Sequence, residues 1–162
     1  MSILAASAVT HPRPPKNYVP NPAARVRSAM VTLPKTHERG TPLEDIQVLF
    51  EDDHVHMALI VSDGRLITTI ERADLVDTLP TSTPAECAGT LVGRTVSPDR
   101  SLDEVTAVLQ ETGVRRLAVV DDSGGLLGLL CLKRDGSGYC SDEGVRERAA
   151  ERIASTELGK RT

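Results

Sequence analysis

The chain has 162 residues, enough for one ordinary domain or for two very small units sharing a core. Aromatic residues make up 2% and tryptophan is absent, which removes the stacking platforms used to bind single-stranded nucleic acid; a formal net charge of −4 argues against a general nucleic-acid or anionic-membrane binder. Three cysteines form no CxxC pair, and no apolar run nears the ~20 residues of a membrane span, so a soluble, cytoplasmic protein without a disulfide framework is expected.

Residues 1–25 read as a disordered proline-rich arm. His11-Pro12-Arg13-Pro14-Pro15 and Tyr18-Val19-Pro20-Asn21-Pro22 hold five prolines, which remove amide donors and forbid helix interiors. Ile3-Leu4-Ala5-Ala6 is too short, and lacks a preceding basic region, for a signal peptide. A short helical approach over Ala24–Met30 leads to Val31-Thr32-Leu33. Thr41-Pro42-Leu43-Glu44 then offers a hydroxyl cap, a proline at the first helical position and a glutamate three after the cap. Leu43, Ile46 and Phe50 share one helical face. Val55–Val61 reads as a buried strand, Asp63-Gly64 as a two-residue turn, and Leu66–Ile70 as the second arm of a hairpin. Helical spacing resumes at Arg72–Val76, and Pro80 and Pro84 mark a linker.

The second half repeats this order. Leu102, Val105 and Leu109 lie 59 residues after Leu43, Ile46 and Phe50, and Val114 and Val119 lie 59 after Val55 and Ile60. Ser101-Leu102-Asp103-Glu104 supplies another capping box, and one extra turn residue at Gly124-Gly125 moves Leu126 to an offset of 60 from Leu66. Each unit therefore reads strand, helix, strand, strand, helix. A unit of this size buries too little surface alone, so residues 26–140 are taken as one composite α/β (α+β) domain of tandem β-α-β-β-α repeats, with repeat one about 31–79 and repeat two about 90–140. Residues 141–162 are read as a C-terminal helix and tail, a surface appendage or a dimer contact.

The duplicated unit resembles the paired CBS (cystathionine-β-synthase) motifs of a Bateman module. The resemblance rests on Val114-Arg115-Arg116-Leu117-Ala118-Val119-Val120-Asp121, on Gly125–Leu130, and on Leu66–Leu75 in the first copy. It implies a non-catalytic regulatory module whose motifs pack about a pseudo-twofold axis. Such a module commonly dimerises and often holds an adenosyl ligand (AMP, ADP, ATP or S-adenosylmethionine) in a cleft between the motifs. It also implies a ribose-binding aspartate in a Ser/Thr-x-x-Asp stretch at the start of each last helix. Asp74 matches that position, with Glu71 in place of the hydroxyl residue; in the second copy Cys131 and Arg134 stand at the two positions and Asp135 falls one residue late. Arg115 and Arg116, at the start of a cleft-lining strand, are candidates for phosphate, and their counterparts are His56 and Met57.

Asp74, Arg72, Thr36, His56, Arg115 and Arg116 are thus the candidate ligand residues. Each has a plainer reading: Asp74 as a first-turn helix acid, the arginines as strand-end charges, Thr36 and Arg72 as exposed positions. His54 and His56 share a strand face but have no third metal ligand at suitable spacing, so no metal site is expected. Cys131 reads as a small buried residue and Cys140 as an exposed thiol. No GxSxG, P-loop, HExxH or GxGxxG followed by a helix is present, so no catalytic residue is assigned. A homodimer, an unidentified regulated protein, no nucleic acid and no membrane complete the expectation. The rival reading is a ligand-free CBS-pair scaffold for dimerisation or docking, motivated by Glu71, Cys131 and Arg134.

Overall fold

The computed structural model describes residues 20–134 and 138–143. The arm before residue 20, Asp135, and the helix expected to continue beyond 143 lie outside the described residues.

Two three-stranded sheets are built the same way. In the first, β1 (Thr36–Glu38) runs parallel to β2 (Ala58–Ser62), with α1 (Leu43–Leu49) as the crossover, and β2 pairs antiparallel with β3 (Arg65–Ile70). In the second, β4 (Thr95–Val96), α2 (Leu102–Thr112), β5 (Arg116–Val120) and β6 (Leu126–Cys131) repeat that order. The likeness extends to a register shift at Ile60/Val61 that recurs at Val119/Val120.

The central strands are apolar on both faces because both faces are covered. Ala58, Ile60 and Ile70 pack on α1 with Leu43, Ile46 and Phe50, and Leu117, Val119 and Leu130 pack on α2 with Leu102, Val105 and Leu109. The opposite faces meet: Met57, Leu59, Val61 and Leu66 of the first sheet bury against Ala118 of the second. Full burial of a side chain such as Leu59 contributes about 1.5–3 kcal/mol, and the first unit could not supply the covering of that face by itself.

The hairpins clasp each other reciprocally. Leu66 N–H donates to the Gly124 carbonyl and Leu126 N–H to the Gly64 carbonyl, each at 3.0 Å. Asp63 and Gly64 take φ of 51° and 77°, the left-handed pair expected of a two-residue hairpin turn.

The segments leading into the two units are exchanged. Leu102 N–H of α2 donates to the Ala24 carbonyl at 3.0 Å, and Leu43 N–H of α1 donates to the Thr83 carbonyl at 2.9 Å. Val31 then bridges Leu129 of β6, while Thr90 bridges Thr69 of β3. Residues 20–25, assigned from sequence to a disordered arm, are mostly exposed but are tied to α2, where Asp103 accepts from Asn21 N–H at 3.1 Å, and Val26 is wholly buried in the second core. The stretch around Pro80 and Pro84 is likewise the leading segment of repeat two, docked on unit one, rather than a free linker.

This exchange corrects one cap. Thr41 Oγ1 donates back to the Glu38 carbonyl and caps nothing; the first amides of α1 are satisfied by the carbonyls of Thr83 and Thr81. Ser101 does cap α2, accepting from Glu104 N–H, and Gly113 closes that helix with φ of 74°. The closing helix of repeat one is only a 3-10 turn, Arg72–Asp74, since the chain soon leaves through the proline-bearing segment to begin the second repeat.

Candidate functional site

A cavity of about 880 Å³ lies where the segment before β1, the approach to β2, the start of β5 and the end of β6 converge. Six cations line it: Lys35, Arg72, Arg115, Arg116, Lys133 and Arg134. Asp53 is the one acidic residue on the wall among the described residues, and its carboxylate lies 3.8 Å from Arg72. An apolar part is formed by Val31, Met57, Leu59 and Leu129. His37, His54 and His56 complete the polar wall.

The strand period explains the selection. Lys35 and His37 flank Thr36, so they share a face while Thr36 points the other way. Arg115 and Arg116 follow the Gly113 turn, which redirects the chain from α2 into β5 across the cavity. Arg115 Nη2 donates to the Leu132 carbonyl at 3.1 Å, but its buried Nε has no hydrogen bond, and neither does the buried Nε2 of His37. Both nitrogens are cut off from solvent, and an unpaired buried polar atom is a cost to stability at the wall.

The charges act on one another. Burial lowers the pKa of His56, and the guanidiniums of Arg116, Arg72, Arg115 and Arg134 lower it further, so His56 is held neutral. Burial, with the Lys35 charge, also lowers His37. Burial works against the charge on Arg116, which is eased by Cys131 and worsened by Arg115. Arg72 lines the cavity but is engaged with protein: Nη2 donates to the carbonyls of Asp52 and Val55, and its guanidinium lies 5.7 Å from the Phe50 ring centre.

Asp74 has a different setting. It is not on the cavity wall; Arg94 holds both of its carboxylate oxygens, and Oδ2 also accepts from Glu71 N–H at 2.8 Å. Arg94 reaches Glu71 as well, at 3.3 Å. Burial would raise the pKa of Asp74, but these hydrogen bonds and the Arg94 charge outweigh it and hold the carboxyl below its ordinary value. The ribose contact that the resemblance implies for Asp74 therefore meets a carboxylate already taken by an arginine of the same chain.

Of the six residues singled out from sequence, His56, Arg72, Arg115 and Arg116 come together in the cavity, and Asp74 and Thr36 do not. Lys35, His37, Lys133 and Arg134 were missed. Arg134 had been weighed only as a lost ribose acid, although it also adds a cation. Lys35 sits at the repeat position of Arg94, a signal that the 59-residue offset carried. Cys140 is half-buried, not exposed, and its Sγ lies 3.1 Å from that of Cys131. Among the described residues no three His, Cys, Asp or Glu side chains cluster as metal ligands, and no helix is long and apolar enough to cross a membrane.

Two exchanged, sheet-paired repeats with a cavity of about 880 Å³ between them define the architecture. Residues 91–134 match the family model for the CBS domain, and the fold of the chain is that of a CBS domain pair. Solved structures agree. The protein AcuB of Vibrio cholerae is similar over 86% of this chain and 97% of its own, at 22% identity and a TM-score of 0.58. CBSX2, solved in complex with AMP, is similar over 80% of this chain and 98% of its own, at 22% identity and a TM-score of 0.58. A CBS domain pair/ACT domain protein from Thermotoga maritima is similar over 70% of this chain and 93% of its own, at 16% identity and a TM-score of 0.57. No curated protein sequence gives a significant match.

Proposed function

We propose that this chain is a non-catalytic regulatory module that binds an adenine nucleotide in the cation-lined cavity and passes the bound state to a partner protein. The observation that carries this reading is the charge of the site: among the described residues six cations and one acid surround the cavity, in a chain whose net charge is −4. Such a concentration of like charge in a partly desolvated space is costly unless an anion neutralises it. Support also comes from the fold, since CBSX2, of the same architecture, was solved with AMP.

The composition of the wall ranks the adenosyl ligands. The apolar patch of Val31, Met57, Leu59 and Leu129 suits a base, and Arg115, Arg116, Lys133 and Arg134 suit a phosphate chain. More phosphates engage more cations, so ATP and ADP should exceed AMP, and S-adenosylmethionine, with its sulfonium charge, should bind least. Calorimetric titration with the four ligands tests this order. Absence of heat with ATP and ADP, or preference for S-adenosylmethionine, overturns it.

A second reading, the ligand-free scaffold, is favoured by the Asp74–Arg94 pair, which closes off the first cleft's ribose acid internally. Homodimerisation has its own observation. Val48 on α1 and Val108 on α2, one residue out of register in the repeat, are 63% and 47% exposed, which leaves an apolar point on the outer face of each helix. Loss of dimer on charging both valines, read by sedimentation, checks it.

A further inference from the structure

Cys131 and Cys140 face each other across an antiparallel ladder. Cys140 N–H donates to the Cys131 carbonyl at 2.8 Å, and the neighbouring pair, Leu132 and Tyr139, bridge antiparallel. Hydrogen-bonded antiparallel partners have Cα atoms about 5.5 Å apart, within the roughly 4.4–6.8 Å that a disulfide spans. The two Sγ atoms are 3.1 Å apart, so closing an S–S bond needs a sulfur displacement of only about 1 Å.

Both thiols line the cavity, and Arg116 lies against them. Cys131 is buried, whereas Cys140 is half-buried and is the more accessible sulfur. The hydrogen bond shared with Cys140, together with burial, pushes the Cys131 thiol up and keeps it protonated. Cys140 also belongs to a tethered segment: Asp142 accepts from Thr32 N–H at 2.7 Å and Thr32 Oγ1 at 2.8 Å. A bond from Cys140 to Cys131 would fix the wall between β6 and the segment before β1.

We propose that Cys131 and Cys140 form a dithiol–disulfide couple in the cavity wall, and that its oxidation by a small-molecule disulfide tightens polyphosphate binding at Arg116. The Cys140 thiolate attacks one sulfur of the oxidant and expels a thiolate, giving a mixed disulfide. Cys131 then loses its proton and attacks Cys140 Sγ, expelling the second thiolate. The protein gives up two electrons and two protons, and the oxidant becomes two thiols. The stapled wall presents its cations with less motion to lose on binding.

The test uses the full chain, with Cys87 as an internal control because it is exposed and lies outside the cavity wall. Incubation with oxidised glutathione should remove about 2 Da from the intact mass and yield a Cys131–Cys140 linked peptide. In Cys131→Ser, a stable glutathione adduct should remain on Cys140. Calorimetry with ATP should show binding about fivefold tighter for the disulfide form. The couple is overturned if Cys131 and Cys140 stay open to alkylation while Cys87 takes up glutathione. The coupling is overturned if the linked form binds ATP no more tightly. That second part rests on the nucleotide reading: failure of ATP to bind either form sinks that reading, and the peptide map still decides whether the couple exists.

Discussion

Lys35 and Arg94 hold equivalent positions, 59 residues apart, just before the first strand of each repeat, and they meet opposite surroundings. Arg94 finds Glu71 and Asp74 and is neutralised by them. Lys35 finds Cys131 and Arg134 at the matching positions, so its side of the pair accumulates charge instead. One duplicated frame thereby yields one internally neutralised charge cluster and one cationic cavity.

Breaking the Arg94 cluster should cost stability. Arg94 and Asp74 side chains are 15% and 17% exposed, so Arg94→Met strands two partly buried carboxylates and should destabilise by about 2 kcal/mol at pH 7. The pH dependence fixes the cause. Asp74 titrates below its ordinary 3.8 in the folded state, so its contribution is full above 3.8 and is lost as pH falls through the folded value. The gap between wild type and variant in thermal melts should hold from pH 7 to 5 and narrow below pH 4. A gap that persists in acid would mean that Arg94 acts through packing alone.

The duplicated order of strands and helices was legible because both faces of each sheet are buried and the apolar sets recur at one offset. The closing helix of repeat one was not, because 3-10 turns and helix starts share the same local spacing. The exchange of leading segments was hidden for a different reason. Val31 and Thr90 signal only extended chain, and which sheet they join is decided by the close approach of backbone at Gly128 and Gly89. In the site, the arginines of β5 could be found from their strand position. Arg134 was compared with an expected acid rather than counted with the cations around it, and Lys133 carries no signal of its own in the repeat.

The exchange itself can be probed at Gly128. A Cβ there would lie 2.4 Å from the Val31 carbonyl oxygen and 3.0 Å from Met30 Sδ, and backbone cannot yield as a side-chain tip does. Gly128→Ala should therefore destabilise by about 2 kcal/mol or more, lowering the urea midpoint with the slope unchanged. An unaltered midpoint would show that the Val31–Leu129 bridge contributes little to the fold.

His56 should report occupancy of the cavity. Its folded pKa lies below the ordinary 6.5 because of burial and four nearby guanidiniums. The unfolded chain therefore binds the proton more readily, and stability should fall as pH drops from above 6.5 towards the folded value. His56→Gln should flatten part of that decline. A bound polyphosphate reverses the local field, so the imidazole resonance should titrate at higher pH with ATP than without it. A titration curve that ATP leaves in place would remove His56 from the site.

The strongest discrimination comes from two substitutions on the cavity wall. Arg116→Ala deletes a half-buried cation that is offered to phosphate, and ATP affinity should fall about tenfold, the scale of one lost charge-assisted hydrogen bond. Arg134→Asp acts twice: it removes a cation and installs a carboxylate able to accept from both ribose hydroxyls. ATP should weaken more than AMP, and adenosine, which lacks phosphate, should bind no worse than to wild type. The ratio of ATP to adenosine affinity is therefore the quantity to measure by calorimetry in both variants. If Arg134→Asp weakens ATP and adenosine alike, Arg134 shapes the cavity rather than reading the charge of its ligand.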